Sequence, residues 1–247
     1  MAPNGILPSD ILLKKLRLHS LLEDDDLEVV RKLPYQAQEL ADGQDFVRQG
    51  DRATTSAVVL RGVLARYHTL ASGDRQYLSI HIAGDWPDAQ GLFLERMDHS
   101  VCAMGDAAVC VIPHEELVRL FRVRPTIGFA IWRETLIDAA IFRAAITNNS
   151  ARRPLARLAH FFCEIYARTR SIGLTANGDC PLPFSQTQLG ELLGMSLISV
   201  NRHLQVLRER HACEFRSGRL TVLDFGKLSA TGGFDALYLH RVVQPLR

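Results

Sequence analysis

Apolar positions recur along this chain with two different periods, and the change of period marks its organisation. Near the N-terminus Ile11, Leu12 and Leu16 fall together at helical spacing. Leu27 and Val30 follow an acidic run, Glu23-Asp24-Asp25-Asp26, of the kind that favours a helix start. The spacing predicts one or two helices over residues 10–32. From about Pro34 to Ile112 short apolar runs alternate with turn signals at Gly43, Gly50-Asp51, Gly62, Ser72-Gly73-Asp74, Gly84-Asp85 and Gly91. The runs Val58-Val59-Leu60, Val63 to Tyr67, Tyr77 to Ile82 and Ala107 to Ile112 have strand character. Short strands at such regular intervals predict a closed all-β unit, a roll or barrel.

Helical texture returns at His114 to Val123. Pro125 suits the start of a long helix reaching about Asn148. That helix is apolar on more than one face. Phe129, Trp132, Leu136, Ala139 and Phe142 lie on one side, and Ile131, Ile137, Ile141 and Ile146 lie elsewhere. Such a helix must bury two surfaces, one on its own β-unit and one on a partner subunit. Asn148-Asn149-Ser150 reads as a hinge. A further helix is predicted from Ala151 to Arg168, with Leu155, Leu158, Phe162 and Ile165 at core spacing.

The stretch from Phe184 to Glu209 carries the densest pattern. Ser185 followed by Gln188 is a capping signal ahead of Leu189, Leu192 and Leu193. Gly194 supplies the left-handed conformation that a sharp stop requires. Ser196 can cap a second helix, whose expected buried stripe is Val200, Leu204 and Leu207. Ser199, Asn201, Arg202, His203 and Gln205 lie off that stripe, as side chains that meet phosphates and base edges would. Cys213 to Leu223 then reads as strand, Ser217-Gly218 turn, strand, with Arg216 and Arg219 flanking the turn. Together these elements predict a winged helix-turn-helix. The competing interpretation is an ordinary helical hairpin, in a ligand-sensing or protein-interaction module that does not read DNA. The tail from Asp224 to Arg247 gives no clear pattern.

Charge separates these alternatives. The whole chain of 247 residues carries a formal charge of only +2. Between Ala151 and Leu220 there are ten Arg, no Lys and five acidic residues, a net +5. The positive charge therefore sits where a phosphate-binding surface would need it. The apolar region from Ile127 to Ile146 is interrupted by Arg133, Glu134, Asp138 and Arg143, so no transmembrane helix is expected. No secretory leader is read at the N-terminus. The five cysteines are scattered without a Cys-x-x-Cys pair, which predicts free thiols in a reducing cytoplasm and neither a disulfide framework nor a zinc site. No phosphate-binding Gly loop, His-Glu-x-x-His helix or nucleophile elbow occurs, so no enzymatic activity is expected.

A β-roll, a long helix and a winged helix-turn-helix in this order resemble the Crp/Fnr family of bacterial transcription regulators. The resemblance covers roughly Leu21 to Leu223. Gly43, Gly50-Asp51, Val59-Leu60-Arg61-Gly62, Gly84-Asp85 and Asp98 to Ala103 match the family's sensor domain. Leu189 to Ser196 and Val200-Asn201-Arg202 match its DNA-binding domain. The resemblance implies an α+β fold. A cyclic-nucleotide-binding-like β-roll (a double-stranded β-helix) would occupy residues 1–124, a long dimerisation helix with its hinge 125–150, and the winged helix-turn-helix 151–247. It further implies a cytoplasmic homodimer on double-stranded DNA with a palindromic operator, in contact with RNA polymerase. Two recognition helices, at about 197–209, would enter major grooves about 34 Å apart. By position, Arg202 is expected at a guanine edge or a phosphate, Ser196 and Ser199 on the backbone, and Gln186 at a phosphate. Asn201 joins them on the outer face, and Arg216 and Arg219 would hold phosphates from the wing. The sequence departs from the family at Leu197 and Ile198, where the best-known members carry Arg and Glu. Leu197 meets a thymine methyl, or else one or both of Leu197 and Ile198 pack inward.

The sensor half departs further. Cyclic-nucleotide-binding members use a Glu for the ribose hydroxyls and an Arg for the cyclic phosphate. Here Ala89 and Met97 stand at those positions, so no cyclic nucleotide is expected. The first cysteine is Cys102, so the N-terminal cluster that would hold an iron–sulfur centre is missing. His68, His81 and His99 are the candidate haem ligands, and Cys102 and Cys110 the candidate redox sensors. The preferred expectation is an effector that is unknown or absent, with no cofactor.

Overall fold

The computed structural model describes residues 7–175 and 177–243. Residues 1–6 and 244–247, the extremes of the first and last segments anticipated above, lie outside them. Two helices open the chain, α1 (Pro8–Leu16) and α2 (Asp24–Arg31). The Asp26 carboxylate accepts the Glu23 backbone N–H at 3.0 Å, satisfying a donor at the start of α2 that the helix itself leaves unpaired.

Five strands follow: β1 (Gln36–Leu40), β2 (Asp45–Val47), β3 (Thr55–Thr69), β4 (Arg75–His81) and β5 (Ser100–Pro113). They run in the order β1-β5-β3-β4, with β2 also paired to β5. The turn anticipated at Gly62 is not a turn. Val58 to Leu60 and Val63 to Tyr67 belong to one long strand. Between them the register slips, from Val59 opposite Val109 to Val63 opposite Met104. Gly62 sits at this bulge with φ +78°, and a Cβ there would lie 2.6 Å from the Asp106 carbonyl oxygen. A bulge bends a long strand without ending it, which is how two strands of 15 and 14 residues curl into a roll.

Both faces of β3 are buried over much of its length, which is why Val58 to Leu60 and Val63 to Ala65 are apolar without alternation. Ala57, Val59 and Leu64 point into the roll with Leu40, Val101, Ala103 and Val109. Val58 points outward, into a second cluster with Leu12, Leu16, Leu27 and Val30 of α1 and α2. Leu117 and Leu120 of α3 (His114–Val123) and Ile127 and Ile131 of α4 (Pro125–Ala151) complete that cluster.

The acids that interrupt the apolar sequence of α4 have internal partners. Lys15 Nζ lies 2.7 Å from Asp85 and 3.1 Å from Glu134, and His19 Nε2 is 2.9 Å from the other Glu134 oxygen. Arg66 donates to Asp138 at 2.6 Å and to the Pro87 carbonyl at 2.7 Å. The opposite side of α4 leaves Phe129, Trp132, Leu136 and Ile146 exposed, so Ile146 joins the outward stripe, apart from the other isoleucines. The anticipated hinge is helical. Asn148, Asn149 and Ser150 are inside α4, and the break comes at residues 152–153, ahead of Pro154. The residue before a proline is pushed to extended backbone, and Arg153 adopts φ −64°, ψ 153°. The next helix, α5 (Pro154–Ser171), therefore starts three residues later than anticipated.

The remaining elements are β6 (Asp179–Pro181), α6 (Gln186–Leu193), α7 (Leu197–Glu209), β7 (Cys213–Arg216), β8 (Arg219–Val222) and α8 (Phe225–Gly232). The small sheet runs β6-β8-β7. The tail that gave no pattern is built onto α5. Gly232 lies so close to it that a Cβ would sit 2.6 Å from the His160 backbone nitrogen. The His160 ring packs against both Phe234 and Tyr238, and the Tyr238 hydroxyl donates to Glu164 at 2.8 Å. The chain divides into two compact units. The first comprises 7–68, 80–139 and 240–243, and the second comprises 69–79, 140–175 and 177–239.

Candidate nucleic-acid interface

Local chemistry builds this site. The Ser185 side chain accepts from Gln188 N–H at 3.1 Å, and the Gln188 amide oxygen accepts from Ser185 N–H at 2.8 Å. This reciprocal cap starts α6. Gly194 ends it in the left-handed region at φ 61°, and Arg157 of α5 donates to the Leu193 and Gly194 carbonyls at 2.8 and 3.2 Å. The chain turns tightly there, and a Cβ on Gly190 would meet the Met195 carbonyl oxygen at 2.5 Å. Ser196 caps α7 by accepting from Ser199 N–H at 3.2 Å. Val200 and Leu207 of α7 are buried as expected, as are Leu189, Leu192 and Leu193 of α6. Leu204 is only half-buried, because the wing leaves one side of it open to a groove. The wing itself turns through Ser217 and Gly218, with φ 48° and 71°, the two left-handed residues of a tight hairpin.

The groove is about 510 Å³, and α7 forms one wall and β7 the other. Gln186, Asn201, Arg202 and Arg216, all anticipated from the sequence, come together on its lining. Gln205 and Arg208 join them. Arg208 figured in the sequence only as one charge among ten, but its position seven residues after Asn201 puts it on the same helix face. Three arginines face one acid here, Glu214, which lies 3.8 Å from Arg216 Nε at an exposed site.

The other anticipated residues stand outside the groove lining. Ser196 is occupied as a cap, and the Ser199 hydroxyl lies 3.3 Å from His203 Nδ1. Arg219 donates to Asp179 at 3.1 Å across β8 and β6. Leu197 and Ile198 are exposed, at 46% and 82%, so neither packs inward. Among the described residues no cluster of three or more His, Cys, Asp or Glu is placed to hold a metal ion, and no helix is long and apolar enough to cross a membrane.

Two family models match the chain in sequence order. Residues 37–124 match the cyclic nucleotide-binding domain, and residues 156–231 match the Crp-like helix-turn-helix domain. The chain belongs to the Crp/Fnr family of transcription regulators. Two relatives align over nearly their whole length. Transcriptional activator protein FnrA of Stutzerimonas stutzeri is 24% identical over 91% of each chain. Nitrogen fixation regulation protein FixK of Bradyrhizobium diazoefficiens is 25% identical over 92% of this chain and 94% of its own. Among solved structures, FixK2 from Bradyrhizobium japonicum shares the fold with a TM-score of 0.71, at 20% identity, over 81% of this chain and 98% of that one. As a Crp/Fnr regulator the chain is a DNA-binding transcription regulator, and the winged helix-turn-helix is its DNA-binding element.

Proposed function

We propose that this regulator works in the cytoplasm as a homodimer on a palindromic operator, contacts RNA polymerase there, and needs no cyclic nucleotide. The groove between α7 and the wing carries the reading. Its arginines and amides can meet phosphates and base edges while α7 lies in a major groove. The outward stripe of α4, with Phe129, Trp132 and Leu136 exposed, supports the dimer. Large apolar side chains at helical spacing on an open face suit a second copy of the same helix.

The sensor's interior supports the reading without a cyclic nucleotide. Cyclic nucleotide binding needs a carboxylate for ribose hydroxyls and a fixed cation for phosphate. Ala89 and Met97 offer neither. Met97 is instead part of the apolar filling of the roll, with its Sδ 2.9 Å from where a Cβ on Gly91 would stand. Selection of bound fragments from genomic DNA, using purified protein without any added effector, tests the proposal. A palindromic motif is expected, unchanged when cyclic AMP or cyclic GMP is added. Binding without a motif, or a motif that emerges only with a nucleotide, would overturn it.

A further inference from the structure

In the first turn of α7 the side-chain polar groups bond back along the helix, Val200 is buried, and two aliphatic side chains point outward. The Ser196 hydroxyl is committed to the Ser199 N–H, and the Ser199 hydroxyl lies against His203. The Asn201 amide donates to the Leu197 carbonyl at 3.0 Å. What projects from this turn is Leu197 and Ile198. Leu197 shares a face with Asn201, Gln205 and Arg208, at spacings of four, eight and eleven residues. Ile198 shares the adjoining edge with Arg202 and Gln205. The two aliphatic side chains therefore stand at the N-terminal end of the surface that lines the groove. In a helix-turn-helix this end of the second helix reaches the base edges. An isoleucine so exposed is a poor partner for water and for any base-edge donor or acceptor. The apolar group on a base edge in the major groove is the thymine methyl.

We infer that Leu197 and Ile198 read thymine methyl groups, so that each half-site is specified at two positions by apolar contact. This inference rests on the DNA-reading role proposed above. Its test replaces each thymine of the selected operator in turn by uracil, which removes the methyl and leaves every hydrogen-bonding group in place. Affinities are measured for the wild type, Ile198→Ala and Leu197→Ala. Burying one methyl group is worth roughly a fourfold change in affinity. At two thymines per half-site the wild type should lose about that factor on demethylation. Ile198→Ala should abolish the loss at one of them and Leu197→Ala at the other. Both side chains are exposed, so unchanged thermal melts would show that the variants fold. Specific wild-type binding that no uracil substitution weakens would overturn the inference and leave the DNA-reading role standing, as would variants that keep the full methyl dependence. A wild type that binds with no motif would overturn both.

Discussion

Arg202 and Arg216 line one groove from different supports, and their loss should be felt differently. Arg202 projects from a rigid helix whose next turn is anchored by Leu207, which suits a fixed geometry on a base. Arg202→Ala should weaken operator binding by about 1–3 kcal/mol and relax preference at one position. Arg216 stands on the wing beside its turn. Arg216→Ala should lower affinity about evenly across sequences and reduce the salt dependence by roughly one counterion. Titrations of matched and mismatched operators at several salt concentrations separate the two outcomes. Arg219 is held by Asp179 and should matter less than Arg216. At this scale the sequence was informative where chemistry is local. The Ser185 and Ser196 caps and Gly194 follow from two or three neighbouring residues. The exposure of Leu197 and Ile198 does not, because helical spacing alone cannot tell an outward aliphatic from one covered by a distant segment. Leu204 shows the reverse: its spacing matches the buried stripe, but the wing leaves it open.

Among the elements, α4 makes the clearest demand. It satisfies its own unit with Ile127, Ala130, Ile131 and paired Glu134, and leaves Phe129, Trp132, Leu136 and Ile146 on the outside. In a two-fold dimer each of these counts twice. Leu136→Glu should therefore raise the dimer dissociation constant by at least ~100-fold, from the aliphatic burial lost on both copies. Sedimentation equilibrium of wild type and variant measures it, and a variant that stays dimeric at the same concentration would refute the assigned face. The two apolar sides of α4 were legible because helical period survives any tertiary context. The element boundaries were less so. Gly62 looks like a turn because glycine is common to turns and bulges, and only pairing with β5 decides between them. Asn148-Asn149-Ser150 looks like a hinge because these residues compete with helix hydrogen bonds. Here the Asn148 and Asn149 amides donate instead to the Arg157 and Leu192 carbonyls, and the helix runs on.

For the molecule as a whole, the two compact units should respond to pH in opposite senses through two buried groups. Burial, with Arg152 nearby, pushes His160 down to about 4 from an ordinary value of 6.5. Between these values the unfolded chain binds the proton and the folded one does not, so stability falls as pH drops through that window. In the roll, burial raises Asp88 to about 7 from 3.8, against the pull of the Ala57 N–H and of Arg66. Here the folded state holds the extra proton, and stability is lost as pH rises from 3.8 toward 7. Denaturant midpoints at pH 4.5 and 7 should show His160→Phe removing part of the acid weakness. Asp88→Asn should remove part of the loss near neutrality. Either variant with a wild-type pH profile would refute its assignment. At this scale the order of roll, helix and winged unit was legible from periodicity and charge. The tail was not, since its contacts with α5 join residues some 70 positions apart. The cysteines carry one more consequence. All five are buried, and burial pushes the Cys110, Cys163 and Cys213 thiols up to about 12 and Cys180 up to about 11. A thiol-directed dye therefore finds almost no thiolate at these four positions in the native protein, and Cys102 is shielded by burial. Its rate of incorporation becomes a clock for opening, read in the roll at Cys102 and Cys110, and in the winged unit at Cys163, Cys180 and Cys213.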